Sequence, residues 1–178
     1  MRRTLAIAVA ASGVMLAACD SQRIADEAAR RAAAADSAEQ VMYHGSTVIT
    51  TNGVRRGSIA GDTVATYEAL TRFRFRPIQV QFTTALGRPL ARLTAPGGEY
   101  SLVKSQVQTT GAVTIVSDTT GRRIQTNGVR FDAATNQLAG DSAFTATAGS
   151  RKLSGIGFTT DPGLFSVKCL EQCSGSLR

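Results

Sequence analysis

The chain has 178 residues, which suits one domain with a real core, and its 43% hydrophobic content gives no sign of bulk disorder. The formal net charge is +7, but the arginines are spread along the chain rather than interleaved with aromatic residues, which argues against nucleic-acid binding. Aromatic residues make up only 6%, and the 17 glycines favour short strands joined by turns. We therefore expect an all-β protein.

The first 18 residues have the composition of an export signal. Arg2 and Arg3 precede an apolar stretch at residues 5–18, which is short for a transmembrane helix. The sequence Leu-Ala-Ala-Cys at residues 16–19 resembles the lipobox of bacterial lipoproteins, and this resemblance implies a signal peptide at residues 1–18 and lipidation of Cys19. An ordinary secretory signal and a poor transmembrane anchor are the alternatives.

Residues 19–40 are rich in alanine and charged side chains but have no wide apolar stripe. This composition predicts a solvated helical tether between the membrane and the folded domain. Asp20, directly after Cys19, resembles the inner-membrane retention signal of some Gram-negative bacteria. That resemblance implies a periplasmic protein whose lipid anchor sits in the inner membrane.

Residues 72–82 alternate charged or polar with apolar side chains, which predicts a strand with one dry and one wet face. Phe73 and Phe75 share one phase of this alternation, whereas the apolar residues after Pro77 share the other. The chain must absorb a one-residue slip if all of them face the same side, and Pro77 is where we expect a bulge or a bend. The charged wet face excludes a central strand of a parallel sheet.

Turn signals recur from residue 41 onward and divide residues 41–168 into short β-segments of one domain. The first strand is predicted at about residues 41–51 and the last at about residues 164–168. Residues 169–178 then form a tail that contains Cys169 and Cys173. These two cysteines could form a disulfide in an oxidising periplasm or half of a metal site; because no histidine is near, we favour the disulfide and predict no metal or cofactor.

A degenerate repeat supports this hairpin organisation. Its units begin with an apolar residue two positions before a small one, at Ile59, Leu93, Ile124 and Leu153. The first three units continue with an aromatic residue and a neighbouring acid, and strands headed by glycine or proline lie between units. Spacings of about 30 residues match one two-strand unit of a stack, although chance similarity among hairpins is the alternative.

Three segments that carry this repeat, residues 87–95, 121–132 and 153–162, resemble the LptC branch of the OstA-like lipopolysaccharide-transport proteins. The resemblance implies an open antiparallel β-jellyroll, in which a V-shaped folded sheet is built from repeated hairpins. It also implies a lipopolysaccharide-binding protein that accepts its cargo from an inner-membrane ABC transporter and relays it to a periplasmic LptA-like bridge protein by edge-strand pairing. Two features depart from the family: the lipid anchor in place of a transmembrane helix, and the terminal cysteine pair.

The apolar side chains of the hairpins are predicted to line a groove for acyl chains rather than fill an ordinary core, although for any single residue plain core packing is the commoner role. The candidate lining residues are Phe73, Phe75, Ile78, Val80, Phe82, Leu93, Tyr100, Val113, Ile115, Ile124, Phe131, Phe144, Leu153, Ile156 and Phe158.

The sequence lacks the residues that a catalytic site would need. The single histidine, His44, has no companion base or nucleophile motif, and the carboxylates Glu68, Glu99 and Asp132 recur at one repeat position, which is typical of turn or edge roles. We therefore predict no enzyme. Two rival functions remain: a structural or assembly lipoprotein whose packed β-domain binds only protein, and a LolB-like carrier of lipids or lipoproteins, although we find no amphipathic helix after Gln40.

Overall fold

The structure, a computed structural model, describes residues 37–177, and this part of the chain folds into thirteen antiparallel strands without a helix. The predicted all-β class is confirmed. The predicted signal peptide and nearly all of the predicted tether lie outside the described residues. Within them, no helix is long and apolar enough to cross a membrane. The strands are β1 Gln40–Thr51, β2 Val54–Tyr67, β3 Arg72–Arg76, β4 Ile78–Thr83, β5 Pro89–Ala95, β6 Gly97–Ser101, β7 Gln106–Thr110, β8 Ala112–Ser117, β9 Arg123–Asn127, β10 Arg130–Asp132, β11 Gln137–Ala148, β12 Arg151–Thr160 and β13 Lys168–Gly175.

The sheet is folded into two halves that share their long strands. Half A contains β3, β6, β7 and β10, and half B contains β4, β5, β8 and β9, while β2 and β11 pair with strands of both halves. Each shorter strand of half A is separated from its continuation in half B by one or two residues. These residues, which form the crease of the fold, include Pro77, Pro96, Gly111 and Gly128. The arrangement is the predicted V-shaped β-jellyroll.

The strand through Pro77 bends without a bulge. Thr63 of β2 lies opposite Arg76, and Ala60 lies opposite Gln79, so no residue is inserted or lost on either side of the proline. The expected slip in register is therefore absent, and the change of phase is absorbed by the bend, where the Arg76–Pro77 peptide bond is cis. As a result, the apolar residues on both sides of Pro77 all face the interior.

The core lies between the halves, where their inner faces pack against each other. The ring of Phe82 in half B meets the ring of Phe131 in half A edge to face, at a centroid distance of 4.8 Å and an interplanar angle of 64°. Phe144 of β11 and Phe158 of the neighbouring strand β12 also pack together, with ring centroids 5.1 Å apart and the rings tilted by 47°. Such aromatic pairs stabilise by about 1 kcal/mol beyond the area that they bury, so the contact of Phe82 with Phe131 helps to hold the fold closed.

The small residues of the sequence repeat lie at the crease or beside it. Gly61, Ala95, Thr126 and Gly155 occupy this position in their respective strands. A Cβ atom on Gly61 would lie 2.6 Å from the carbonyl oxygen of Pro77, which shows how closely the chains approach there. The repeat thus marks the fold line of the sheet.

The three recurrent acids make contacts at turns and on the outer face. Glu68 pairs with Arg72 at 3.1 Å, and Glu99 binds Arg74 at 2.8 Å. Asp132 instead holds the turn between β10 and β11. Its carboxylate accepts hydrogen bonds from the backbone N–H of Thr135, from the side chain of Gln106 and from the backbone N–H of Ala134, and these bonds lower the pKa of Asp132.

We expect Asp132→Asn to lower the free energy of unfolding at pH 7 by less than about 1 kcal/mol, because the carboxylate is well hydrated. A carboxyl group with a lowered pKa stabilises the fold above its unfolded pKa of about 4, and this contribution is lost as the pH falls through the folded value. Urea unfolding at pH 7 and pH 3 measures both effects. The exposed Asp141→Asn is the control, and a difference that persists unchanged at pH 3 would contradict the assignment.

The last strand lies later in the sequence than predicted. Strand β13 begins at Lys168, so residues assigned to the tail extend the sheet, and residues 161–167 form a loop. The side chain of Asp161 and the left-handed conformation of Leu164 hold this loop away from an extended shape. A disulfide joins Cys169 and Cys173 within β13.

Candidate functional site

The predicted groove residues converge on the space between the halves. Twelve of the fifteen are at most 4% exposed. Phe73 and Leu153 are half-buried and pack against the same core, whereas Ile156 is half-buried and lies outside the core cluster. The set selected from the sequence therefore lines one continuous interior, with Ile156 as the exception.

Side chains of the protein itself fill this interior. Phe75, Ile78, Val80 and Phe82 are between 0% and 1% exposed and form one cluster with the residues opposite them. In addition, burial raises the pKa of the Tyr100 hydroxyl, which lies among these inner residues. A guest hydrocarbon chain would thus have to separate the halves or displace some of these side chains.

A cavity of about 350 Å³ opens beside the core at the β12–β13 end of the sheet, and we call it the end cavity. Leu153, Val167 and the largely buried Leu177 supply apolar surface, and the disulfide also lines the wall. The guanidinium group of Arg122 lies at the same cavity. Its volume is at the lower end of the range for small-molecule pockets.

Residues 161–167 cross the open side of the V, opposite the crease, and we call them the strap. The strap leaves half A at Thr160, which pairs with Leu138, and it reaches the β8–β9 hairpin at the tip of half B. There Ser117 Oγ donates a hydrogen bond to the carbonyl of Gly163 at 2.8 Å. Arg122 Nη1 donates to the carbonyls of Leu164 and Phe165 at 2.8 and 2.7 Å.

The two edges of the sheet are β1 and β13, each of which has one described neighbour. Strand β1 carries an unusual number of exposed apolar side chains, and Tyr43 is 76% exposed. Leu170 of β13 is 57% exposed. Free backbone groups next to exposed apolar side chains are typical of edges that pair with another chain.

Catalytic geometry is not apparent among residues 37–177. His44 is the one histidine, and its Nδ1 lies 4.0 Å from the carboxylate of Asp62, with both side chains mostly exposed. No cluster of His, Cys, Asp or Glu in this range could hold a metal ion.

Several interior residues are missing from the predicted groove set. Ile49, Ile59, Val64 and Leu138 sit in strands whose alternation could have revealed them. Leu164 is completely buried although it lies in a loop next to a proline and a glycine. No sequence signal marks such a residue, because its burial depends on where the loop crosses the sheet.

The chain is similar to one known protein family along nearly its whole length. No curated protein matches the sequence. Among solved structures, the chain is similar to LptH of Pseudomonas aeruginosa, described as the LptA-homologous periplasmic component of the lipopolysaccharide transport device. The two share 10% identity and a TM-score of 0.41 over 78% of this chain and 94% of LptH.

The sequence profile described as "Lipopolysaccharide-assembly, LptC-related" matches residues 5–174. Proteins of this family act in periplasmic lipopolysaccharide transport and are not enzymes, which agrees with the predicted lack of a catalytic site. Since the profile covers nearly the whole sequence, the chain belongs to the LptC-related family of lipopolysaccharide-assembly proteins.

Proposed function

We propose that this protein is a lipid-anchored carrier that takes lipopolysaccharide from an inner-membrane ABC transporter and holds its acyl chains between the two halves of the sheet. It then passes the lipid to an LptA-like bridge protein. The observation that carries the proposal is the single continuous apolar interior between the halves, lined by the predicted groove residues.

Binding requires the interior to open, because the side chains of the two halves fill it. An acyl chain of about a dozen methylenes gains about 10 kcal/mol when it leaves water, at about 0.8 kcal/mol for each methylene. Core side chains that move aside remain in contact with the acyl chain and lose little of their own burial. The free energy of lipid transfer is thus large enough to offset a partial separation of the halves.

The edges supply the docking surfaces in this proposal. A partner strand that adds to β1 would pair with its free backbone groups and cover the exposed Tyr43 and Val48. A second partner would add to β13. Because the interior runs across the sheet from β1 towards β13, strand addition at both edges aligns the interiors of neighbouring jellyrolls.

The anchor rests on residues outside the described range. Cys19 is the proposed lipidation site, and Asp20 favours retention in the inner membrane. Mass spectrometry of the protein purified from membranes would detect a lipid-modified Cys19 at the N-terminus. An N-terminus elsewhere, or an unmodified cysteine, would contradict this part of the proposal.

We expect Phe75→Glu or Val80→Glu to weaken lipopolysaccharide binding at least tenfold, because each change puts a charge into the apolar interior. Phe73→Glu, at a half-buried position, is a milder version that is better tolerated by the fold. Saturable binding of radiolabelled lipopolysaccharide measures the effect, with circular dichroism and thermal unfolding to select folded variants.

Gln79→Glu is the matched control for Val80→Glu, since it adds the same charge to the exposed face of the same strand, β4. Binding that is equally weak for Gln79→Glu would show a general charge effect. Binding that survives in folded Phe73→Glu, Phe75→Glu and Val80→Glu proteins would place the lipid elsewhere and overturn the groove.

The filled interior also favours a second candidate function, a structural or assembly lipoprotein that binds only protein partners. The binding assay separates the two, because this candidate predicts no saturable lipid binding by the wild-type protein. A LolB-like carrier has less support, since the described residues contain no helix to pack against the sheet.

A further inference from the structure

We propose that the disulfide between Cys169 and Cys173 guards the last edge of the sheet against a second copy of this chain. The disulfide folds residues 169–173 into a compact segment, which we call the disulfide ring, and the ring stops β1 of another copy from pairing along β13. The inference concerns self-assembly, so it goes beyond the proposed lipid carrier and does not depend on it.

The disulfide ring interrupts the edge strand. The Cα atoms of Cys169 and Cys173 lie 5.9 Å apart, whereas four steps along an extended strand cover about 13 Å. Gln172 has a φ of 50°, a left-handed conformation that is uncommon for a residue other than glycine. The register between β12 and β13 shifts at the same place. The ring therefore does not offer its backbone N–H and C=O groups at the regular spacing that a partner strand requires.

Two glycines of β12 make room for the ring. A Cβ atom on Gly155 would clash with the sulfur of Cys169 and would lie 2.7 Å from the carbonyl oxygen of Glu171. A Cβ atom on Gly157 would lie 3.1 Å from the side chain of Leu170. Cys169 also packs against the core cluster. The ring thus has a fixed seat on the bare backbone of the neighbouring strand.

Only a short stretch of regular edge remains on β13 before the ring closes. Residues 168–171 keep one register with β12, which is fewer than the usual five or six residues of a strand. The exposed Lys168 and Glu171 add a charge at each end of this stretch. Short strands, bulges and charged side chains are the features by which proteins prevent pairing at sheet edges.

The first edge of the sheet differs in length and in charge. Strand β1 has 12 residues, pairs with β2 with one register shift near its end, and contains no Lys, Arg, Asp or Glu. Its Tyr43 and Val48 are 76% and 44% exposed. A long, uncharged edge with exposed apolar side chains can pair with another open edge. The chain therefore carries one open and one guarded edge.

This asymmetry matters because β1 and β13 are different surfaces. Pairing of β1 with β13 of another copy would be head to tail and would not close, so it would continue into a filament. A guard on one edge is enough to prevent filaments and leaves β1 free for another protein. A bridge protein that adds to β13, as proposed above, must pair with residues 168–171 and leave room for the ring.

Photocrosslinking of the full-length protein in detergent solution tests the guard. Photoreactive benzoylphenylalanine replaces Val48 in β1, and Cys169→Ser with Cys173→Ser removes the disulfide. Because each copy carries one photoreactive group, a pair joined through its two β1 strands gives covalent dimers at most. Head-to-tail stacking gives covalent trimers and larger species. We expect at least tenfold more of these larger species from the double serine variant than from the chain with its cysteines.

Two further measurements separate edge pairing from misfolding. A phosphine reductant, which converts the disulfide into two thiols, should produce the larger species without any change at the cysteines. In the double serine variant, Tyr43→Lys puts a charge on β1 and should abolish most of these species. Val103→Lys is the matched control, because Val103 is 80% exposed in the turn between β6 and β7. Circular dichroism selects the folded variants.

Trimers and larger species that form equally well with the disulfide intact would overturn the guard. Monomers and dimers alone, from a folded double serine variant and from the reduced protein, would overturn it as well, because β13 would then be closed without the disulfide. Larger species that persist with Tyr43→Lys would show that β1 is not the added strand, which also contradicts the proposal. Lipopolysaccharide binding is measured separately, so the proposed function can stand or fail independently of these results.

Discussion

Phe131→Ala is expected to lower the free energy of unfolding by about 3–5 kcal/mol, the range for removing a fully buried phenylalanine. Phe131 is 1% exposed and its ring packs on Phe82 across the two halves. The truncated side chain would leave a cavity where the Phe131 ring now meets Phe82 between halves A and B. For a domain of this size we expect the melting temperature to fall by about 10 °C.

Urea unfolding followed by circular dichroism measures this change, and Leu86→Ala is the control because Leu86 is 82% exposed. The double variant with Phe82→Ala isolates the ring contact from the loss of burial. We expect the double variant to cost less than the sum of the two single changes. A loss below about 1 kcal/mol for Phe131→Ala would show that the halves are not held together by these rings.

Gly61→Val is expected to destabilise the fold by about 3 kcal/mol, at the upper end of the usual range for overpacking. Its Cβ atom would lie 2.6 Å from the Pro77 carbonyl oxygen and 3.2 Å from the side chain of Phe75. The first contact is with backbone at the crease, which cannot move without shifting β3 and β4. The lower entropy of the unfolded chain without this glycine offsets only about 1 kcal/mol.

Ala60→Val is the matched control, because Ala60 is the neighbouring residue of the same strand and faces solvent. Valine suits a strand, so this change should be neutral or slightly stabilising. Soluble yield and the urea midpoint report both variants. If Gly61→Val and Ala60→Val are equally stable, the close approach of β2 to Pro77 does not constrain the crease.

The same crease bears on lipid binding. Opening the interior requires halves A and B to separate, and the shared strands β2 and β11 join them whether the interior is open or closed. The crease contains Gly61, Pro77, Pro96, Gly111 and Gly128, where side chains are small or the chain is already bent. A change that stiffens or blocks the crease would thus affect stability and lipid binding together.

The all-β class, the resemblance to the LptC family and the inward face of most strands could be predicted from the sequence. The alternation of apolar and polar residues with a period of two is a local property of the sequence. The inward-facing residues of β4, β5 and β8 can therefore be predicted without tertiary information. Turn residues and the repeat are also local signals, and they predicted the hairpins; of the crease, only the bend at Pro77 was predicted. The match to the LptC-related profile confirms the family.

Tertiary structure alone decided three other features. The sequence could not indicate that Leu164 lies in the core, because its burial depends on Ser117 and Arg122, more than 40 residues away. It placed the last strand too early, since the hydrogen bonds of Asp161 turn residues 161–167 into a loop. Whether the interior is filled or empty was also undetermined, because alternation shows which side chains face inward but not how closely two facing sheets approach.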